Sequence, residues 1–398
     1  MANHKIPITK EIKSVHIRSY GTLRIKGSET DEIKSSSSDY ETLTVVQSGD
    51  IVYVTAMNSC DLELPMDLPV FVEKAMGSVH SEGLKNAFRS VKVLGSLIVD
   101  GARSVDVEKV GGNCAIRNIE EKVNIEKTGG NLVAESITSL RAEKTGGSCL
   151  LKDVKGEIQI SKIGGSFSGQ NIAGSLDISR VSGDYTCDRS AFGIVLKVGG
   201  DIQTKMTGEL ALSDIKAGGD IDLYLEPGTS NLSLSLGAGG DISVAIGDLD
   251  VQVENQVYEV ALGTGEIPFS AKAGGDISIA DEDWQVPEIV GDLSAYFEES
   301  GPALNEVIHE HVRRATQLAE KRIEAAQKRL EHIQAKIDID FGDLGIPSIL
   351  IPGMPKKASS PKAQKGASDE ERLLILQMLQ DKKITVEEAE ALFSTLEK

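Results

Sequence analysis

KVGGNC (residues 109–114), KTGGNL (127–132), KTGGSC (144–149) and KIGGSF (162–167) are four copies of one six-residue phrase. The phrase reads lysine, any residue, two glycines, a small polar residue and an apolar one. Outward from these copies its second glycine returns at Gly77, Gly95, Gly112, Gly130, Gly147, Gly165, Gly183, Gly200, Gly219, Gly240 and Gly275. The intervals run from 17 to 21 residues, except the last, whose 35 residues are close to two periods. A fixed period of this size marks a repeat architecture, in which each unit buries its face against its neighbours. Beyond each phrase apolar and polar residues alternate, as at Ile221, Leu223 and Leu225 or Ile242, Val244 and Ile246. Period-two alternation means strands with one buried face. A repeat this short holds two or three strands and their turns, with no room for a helix.

The expected fold is therefore mainly β: a parallel β-solenoid over residues 14–290, behind an N-terminal segment 1–13. It would hold roughly 15 coils of about 18 residues and run about 70 Å at the spacing of paired strands. The glycines are expected to supply corners of positive φ. The Ser, Asn or Asp that follows each is expected to bond nearby backbone amides in an Asx-type turn. A weaker copy, Asn58-Ser59-Cys60, lies 19 residues before Gly77, and Gly21-Thr22-Leu23 lies two periods earlier; Ser35 to Ser38 read as a loop between them.

The chain has 398 residues and a formal net charge of -19, which argues against nucleic acid, whose phosphates want a basic face. The N-terminus has no apolar h-region and no run of 18 apolar residues occurs, so the expected location is cytoplasmic. Cys60, Cys114 and Cys149 fall in the apolar slot after the corner and Cys187 two residues beyond it. Their spacing fits no zinc or redox motif, so they read as buried free thiols.

Two charged columns follow from the period. Lys74, Lys92, Lys109, Lys127, Lys144, Lys162, Arg180, Lys197, Lys216 and Lys272 should stack, with Glu73, Glu108, Glu126 and Glu143 beside them. This reads as a solvated face that discourages lateral strand pairing. The competing reading is a basic stripe for an anionic polymer or lipid headgroups. Asp184, Asp201, Asp220, Asp241 and Asp276 should stack at one corner, as structural residues before a cation ladder or catalysis. The histidines His4, His16, His80, His309, His311 and His332 form no metal or triad pattern.

Beyond the repeats, residues 302–337 read as one long amphipathic helix, with Leu304, Ile308, Val312, Ile323, Leu330 and Ile337 on its apolar stripe. It would dock along the solenoid flank or cap its end, or else form a coiled coil with another copy. Residues 338–367 hold the apolar run 345–353 and a Pro, Lys, Ala and Ser linker. In residues 368–398 two capping boxes, Ser368 to Glu371 and Thr385 to Glu388, open two short helices. Their apolar faces carry Leu374, Met378, Leu379, Leu392, Phe393 and Leu396, the candidate interaction surface.

The hairpin resembles the SHOCT-like helical hairpins of bacterial proteins through Glu371, Arg372, Ile375, Leu376, Met378, Leu379, Lys383, Ile384, Glu387, Glu388, Ala389 and Leu392. Lys382 stands where those turns usually have glycine. With the solenoid it looks like the adhesin-type β-solenoid proteins of bacterial envelope stress, the YvlB and LiaX type, in which the hairpin precedes the solenoid. The resemblance implies a bacterial protein that is not an enzyme.

The expectation is thus a scaffold or interaction protein, an envelope-stress regulator by resemblance, with the hairpin or long helix engaging a protein partner or another copy. No catalytic, cofactor-binding or metal residues are expected. The alternatives are a self-assembling, bactofilin-like element that polymerises through solenoid ends, which needs an uncovered end, and a carbohydrate-active β-helix protein, which needs acids clustered across neighbouring coils.

Overall fold

The computed structural model describes residues 2–7, 12–37, 43–254, 257–281 and 289–297. The expected helix 302–337, linker 338–367 and hairpin 368–398 lie outside the described residues. What is described is mainly β, with mostly parallel strand pairing. No helix of the described residues is long and apolar enough to cross a membrane.

The chain alternates between two parallel ladders. Strands that precede a Gly-Gly corner, such as Phe88–Val93, Val105–Val110 and Ile158–Ile163, form the first. Strands that follow the corner, such as Leu97–Ala102, Cys149–Val154 and Phe167–Ile172, form the second. Cys114–Thr128 and Leu132–Thr145 each pass from the second ladder into the first. Pairing is in register with the phrase: Leu97 faces Cys114, Cys114 faces Leu132, Leu132 faces Cys149 and Cys149 faces Phe167. Like residues of successive repeats therefore stack, and their alternating side chains fill one continuous apolar interior.

The order of the rungs differs from chain order at both ends. Ser14–Ser19 pairs with Ile51–Ala56 on one side and Val70–Ala75 on the other. Leu23–Ser28 likewise lies between Cys60–Pro65 and Val79–Glu82. The repeat at Asn58 is thus not the neighbour of the repeat at Gly77, as its 19-residue interval implies; the repeat at Gly21 is inserted between them. The same happens after Gly219, where Ile267–Ala273 and Ile277–Ala280 come before Leu232–Ala238 and Asp241–Ile246 in space. The 35-residue interval is one chain excursion, not two stacked periods.

The chain between these rungs makes antiparallel strands that close the ladders. Leu43–Ser48 pairs with Ile51–Ala56, and Glu32–Ser37 pairs with Cys60–Pro65 and with Ala2–Pro7. Residues 35–37, expected in a loop, belong to that strand. At the other end Leu249–Glu254 pairs with Asp241–Ile246, and Val257–Ala261 with Leu232–Ala238. Among the described residues each ladder holds thirteen parallel rungs, fewer than the roughly 15 expected, because these stretches are spent on antiparallel closure.

Glycine at the corner is required for clearance. None of the phrase glycines from Gly77 to Gly275 has positive φ, contrary to expectation. A Cβ on Gly95 would instead stand 2.7 Å from Gly77 C, Ser78 N and Ser78 Oγ of the neighbouring rung. Amides carry the ladder through the bend, with Gly130 N donating to Gly112 O at 2.9 Å and Gly147 N to Gly130 O at 2.8 Å. Positive φ recurs instead at a bend in or just after the second-ladder strands, at Gly83, Gly101, Asn118, Ser136, Asp153 and Asn171, besides turns such as Gly49. Asn and Asp tolerate that region better than other side chains.

Candidate interaction surfaces

The polar residue after each corner does not bond a local amide; it bonds the next rung. Asn131 N donates to Asn113 Oδ1 at 2.8 Å, Ser148 N to Asn131 Oδ1 at 2.7 Å, and Ser166 N to Ser148 Oγ at 3.1 Å. The acids continue the series: Asp201 N donates to Asp184 Oδ1 at 3.1 Å, Asp220 N to Asp201 Oδ1 at 2.9 Å, Asp276 N to Asp220 Oδ1 and Asp241 N to Asp276 Oδ1, both at 2.8 Å. Asp276 sits between Asp220 and Asp241, in the order of the rungs. Carboxylate, amide and hydroxyl interchange here because each presents one acceptor oxygen. The Asx-turn reading is corrected accordingly: a turn satisfies its own chain, whereas this column ties repeat to repeat.

The basic column lies on the outer face of the first ladder. Arg18 faces Lys74, and Lys92, Lys109, Lys127, Lys144 and Lys162 follow in register. Arg180, Lys197, Lys216 and Lys272 continue it, and Arg18 extends it beyond the residues expected. Arg18 pairs with Glu73 at 2.5 Å and Lys216 with Asp214 at 2.8 Å. For Lys92, Lys109, Lys127, Lys144 and Lys162 no ion pair occurs among the described residues. A shallow groove of about 460 Å³ opens here, lined by Lys127, Arg141, Lys144 and Lys162 with Glu143 and Asp177.

The second ladder carries a different feature on its outer face. Ile98, Ala115, Val133 and Leu150 form an outward apolar column on four successive rungs. Residues 289–297 fold back over it, burying Val290, Leu293, Tyr296 and Phe297 against Ala115, Val133 and Leu150. Val290 N donates to Gln170 Oε1 at 3.0 Å, and Lys152 Nζ to Gly291 O at 3.3 Å. Arg117 lies 4.4 Å over the Phe297 ring while its guanidinium bonds Asp100 at 2.6 Å. Asp100 also accepts from Asn118 Nδ2 at 2.7 Å. Burial works to raise the Asp100 pKa, but the bonds from Arg117 and Asn118 outweigh it and hold the carboxyl below its ordinary value. This docking was not anticipated. Its signal is the loss of alternation at LIV (97–99), CAI (114–116), LVA (132–134) and CLL (149–151), where the outward residue is apolar too.

The four cysteines are buried free thiols in the interior. Burial pushes Cys60, Cys114 and Cys187 up to about 12 and Cys149 further in the same direction. Cys187 lies beside a buried polar chain, in which Tyr185 Oη contacts Ser190 Oγ at 2.7 Å and Ser190 Oγ contacts Thr204 Oγ1 at 2.8 Å. The described residues contain no group of three or more His, Cys, Asp or Glu able to hold a metal ion. Leu374, Met378, Leu379, Leu392, Phe393 and Leu396 lie outside the described residues.

No curated protein matches the chain. Three solved structures are similar over 70% of it: an adhesin-type protein of Bacteroides fragilis NCTC 9343, at 11% identity, 95% of that chain and a TM-score of 0.23; a cell-adhesion-type protein of Clostridium sporogenes ATCC 15579, at 13%, 98% and 0.14; and an adhesin-type protein of Parabacteroides merdae ATCC 43184, at 9%, 95% and 0.25. Residues 370–398, which carry the two-helix pattern, match the family model described as a SHOCT-like domain.

Proposed function

We propose that this chain is a non-enzymatic bacterial scaffold: a parallel β-solenoid bearing, on a linker, a SHOCT-like hairpin that recruits a protein partner or another copy. The observation that supports it best is the fate of the polar residues in the repeat. The corner column that a β-helix enzyme would need for chemistry gives one oxygen per residue to the amide of the next rung. The interior is mainly aliphatic, aromatic and thiol, and its buried polar side chains are neutral Ser and Thr hydroxyls. The docked 289–297 segment seats Phe297, the last described residue, on the flank of the second ladder.

The antiparallel closures weigh against the bactofilin-like alternative. Polymerisation through solenoid ends needs a parallel rung open to its like, and both ladders end in antiparallel strands. Within the scaffold reading, cytoplasmic location agrees with four unpaired thiols. A part in envelope stress follows from the SHOCT-like resemblance, and is tested by whether deleting the gene changes survival under cell-wall-active agents.

The hairpin's role is tested with Leu379→Asp and Leu392→Asp in the full chain. If it pairs with another copy, light scattering gives a dimer mass that falls to the monomer in both variants. If it recruits a partner, the wild-type chain is monomeric and crosslinking in cells captures a protein that both variants lose. Unchanged mass and unchanged crosslinks would refute the reading.

A further inference from the structure

The residue just before the second corner position is Gly in most rungs, as at Gly111, Gly129, Gly146 and Gly164. In four rungs it is large and apolar: Met57, Tyr20, Met76 and Leu94. These are far apart in sequence, and the inserted rung makes them consecutive in space. Tyr20 N donates to Ala56 O, Met76 N to Ser19 O, and Leu94 N to Ala75 O, so the order is Met57, Tyr20, Met76, Leu94. Each side chain is between 40% and 55% exposed. The column spans about 14 Å over three rung spacings. Tyr53, equally exposed, stands on the same outer face about 13 Å along its strand from Met57. Between Tyr53 and Phe71 the His16 ring packs edge-on at 5.4 Å and 4.9 Å.

This apolar ridge lies against the start of the basic column. Lys74 Nζ sits 5.9 Å above the Tyr20 ring, with Arg18 and Lys92 on the adjoining rungs. The column then continues along the same face in a chain of net charge -19. Stacked like charges repel, and a Met, Tyr or Leu left about half exposed where glycine suffices recovers only part of its burial energy.

From this juxtaposition we propose that the outer face of the first ladder docks on an anionic lipid bilayer, the ridge of Met57, Tyr20, Met76 and Leu94 entering the interfacial region and the basic column lying over the headgroups. Charge complementarity selects the occupant. In a net-negative chain this face carries an unbroken run of cations, of which Lys92, Lys109, Lys127, Lys144 and Lys162 have no ion pair among the described residues although Glu108, Glu126 and Glu143 lie beside them, so an anionic surface is met here. A linear polyanion would engage the cations and leave the ridge unused. The ridge side chains are about half exposed, which leaves their aromatic and thioether groups free to enter a lipid interface.

The test is co-sedimentation of the full chain with vesicles of phosphatidylcholine alone and with added phosphatidylglycerol. Binding to the second and little to the first is expected, weakening with salt. Lys74→Gln and Lys92→Gln together should lower the partition about twenty-five-fold, at about fivefold for each cation removed from the surface. Tyr20→Ser, Met57→Ser and Met76→Ser together should lower it at least tenfold with the thermal transition unchanged, because all three are exposed. Equal binding to neutral vesicles, no binding at low salt, or full binding by the serine variant would overturn the proposal. Retention on polyphosphate beads with no vesicle binding would assign the column to a linear polyanion instead, and would overturn it as well.

Discussion

Gly165→Ala separates two accounts of why the repeat needs glycine. Gly165 has no positive φ, so backbone strain predicts almost no penalty. Clearance predicts a large one: the added Cβ would lie 2.5 Å from Ser148 Oγ, 2.8 Å from Ser148 N and 2.9 Å from Gly147 C. Ordinary contact between such atoms begins near 3.5 Å, so the rungs must part by about 0.6 to 1 Å. That movement stretches the Gly165 N to Gly147 O bond of 2.9 Å and the Ser166 N to Ser148 Oγ bond of 3.1 Å past useful length. Two weakened hydrogen bonds cost about 2 kcal/mol and the residual overpacking at least about 1, giving about 3 kcal/mol or more. Two controls bracket it. Gly237 has no positive φ and its Cβ would meet only Lys272 Cγ, at 3.9 Å, so Gly237→Ala should change stability by less than about 0.5 kcal/mol. Gly49 has φ +62 and open space, so Gly49→Ala should cost about 1 kcal/mol from the backbone alone. Urea unfolding followed by circular dichroism measures all three, the slopes staying equal. A Gly165→Ala penalty no larger than that of Gly49→Ala would refute the clearance argument.

Further outcomes follow from the corner, the thiols and the flank. Asp220→Ala should cost about 1 to 2 kcal/mol by orphaning the Asp276 amide, whereas Asp220→Asn keeps the acceptor and should be nearly neutral, again read from urea midpoints. Native protein should leave all four cysteines unlabelled by a thiol reagent at neutral pH and expose four in denaturant. Their raised pKa values also carry a sign: the stability they contribute is complete below the unfolded value near 8.5 and is lost as pH rises through about 12, so alkaline unfolding should begin above about pH 9. Asp100 acts in the opposite direction. Its depressed pKa gives a contribution present above about pH 4 and lost as pH falls through the folded value, so the protection factors of amides in 289–297, corrected for intrinsic exchange, should fall on acidification, and Asp100→Asn should remove that pH dependence. Leu293→Ala should loosen the same segment, seen as faster protease cleavage within 289–297 while the ladders stay protected.

The repeat was legible because glycine excludes a side chain at the same corner point of successive units, and its columns from Gly77 to Gly219 match the pairing of the rungs, with register shifts at Ile119/Lys122 and Cys187/Ser190. The reason for the glycines was not legible: a position that forbids a Cβ looks the same in sequence whether φ or a neighbouring rung forbids it. Nor was the rung order at the ends. A period measures distance along the chain, and where the 29–48 and 247–266 stretches deliver the chain is settled by pairing, which inserts the Gly21 repeat after the Asn58 repeat and the Gly275 repeat before the Gly240 repeat. The basic column followed from the period alone. The apolar ridge could not, since Tyr20, Met57, Met76 and Leu94 become one feature only after that insertion. The flank contact was visible as four apolar triplets, although an outward apolar residue does not name what covers it.

The central claim is that this chain is a finite scaffold closed at both solenoid ends. Sedimentation velocity of the full chain over a wide range of concentration, beside the Leu379→Asp variant, tests it most directly. The account predicts a monomer, or one small discrete oligomer that the variant abolishes. An open-ended series of growing species that persists in the variant would contradict it, because such growth needs the parallel rungs that the antiparallel strands cover.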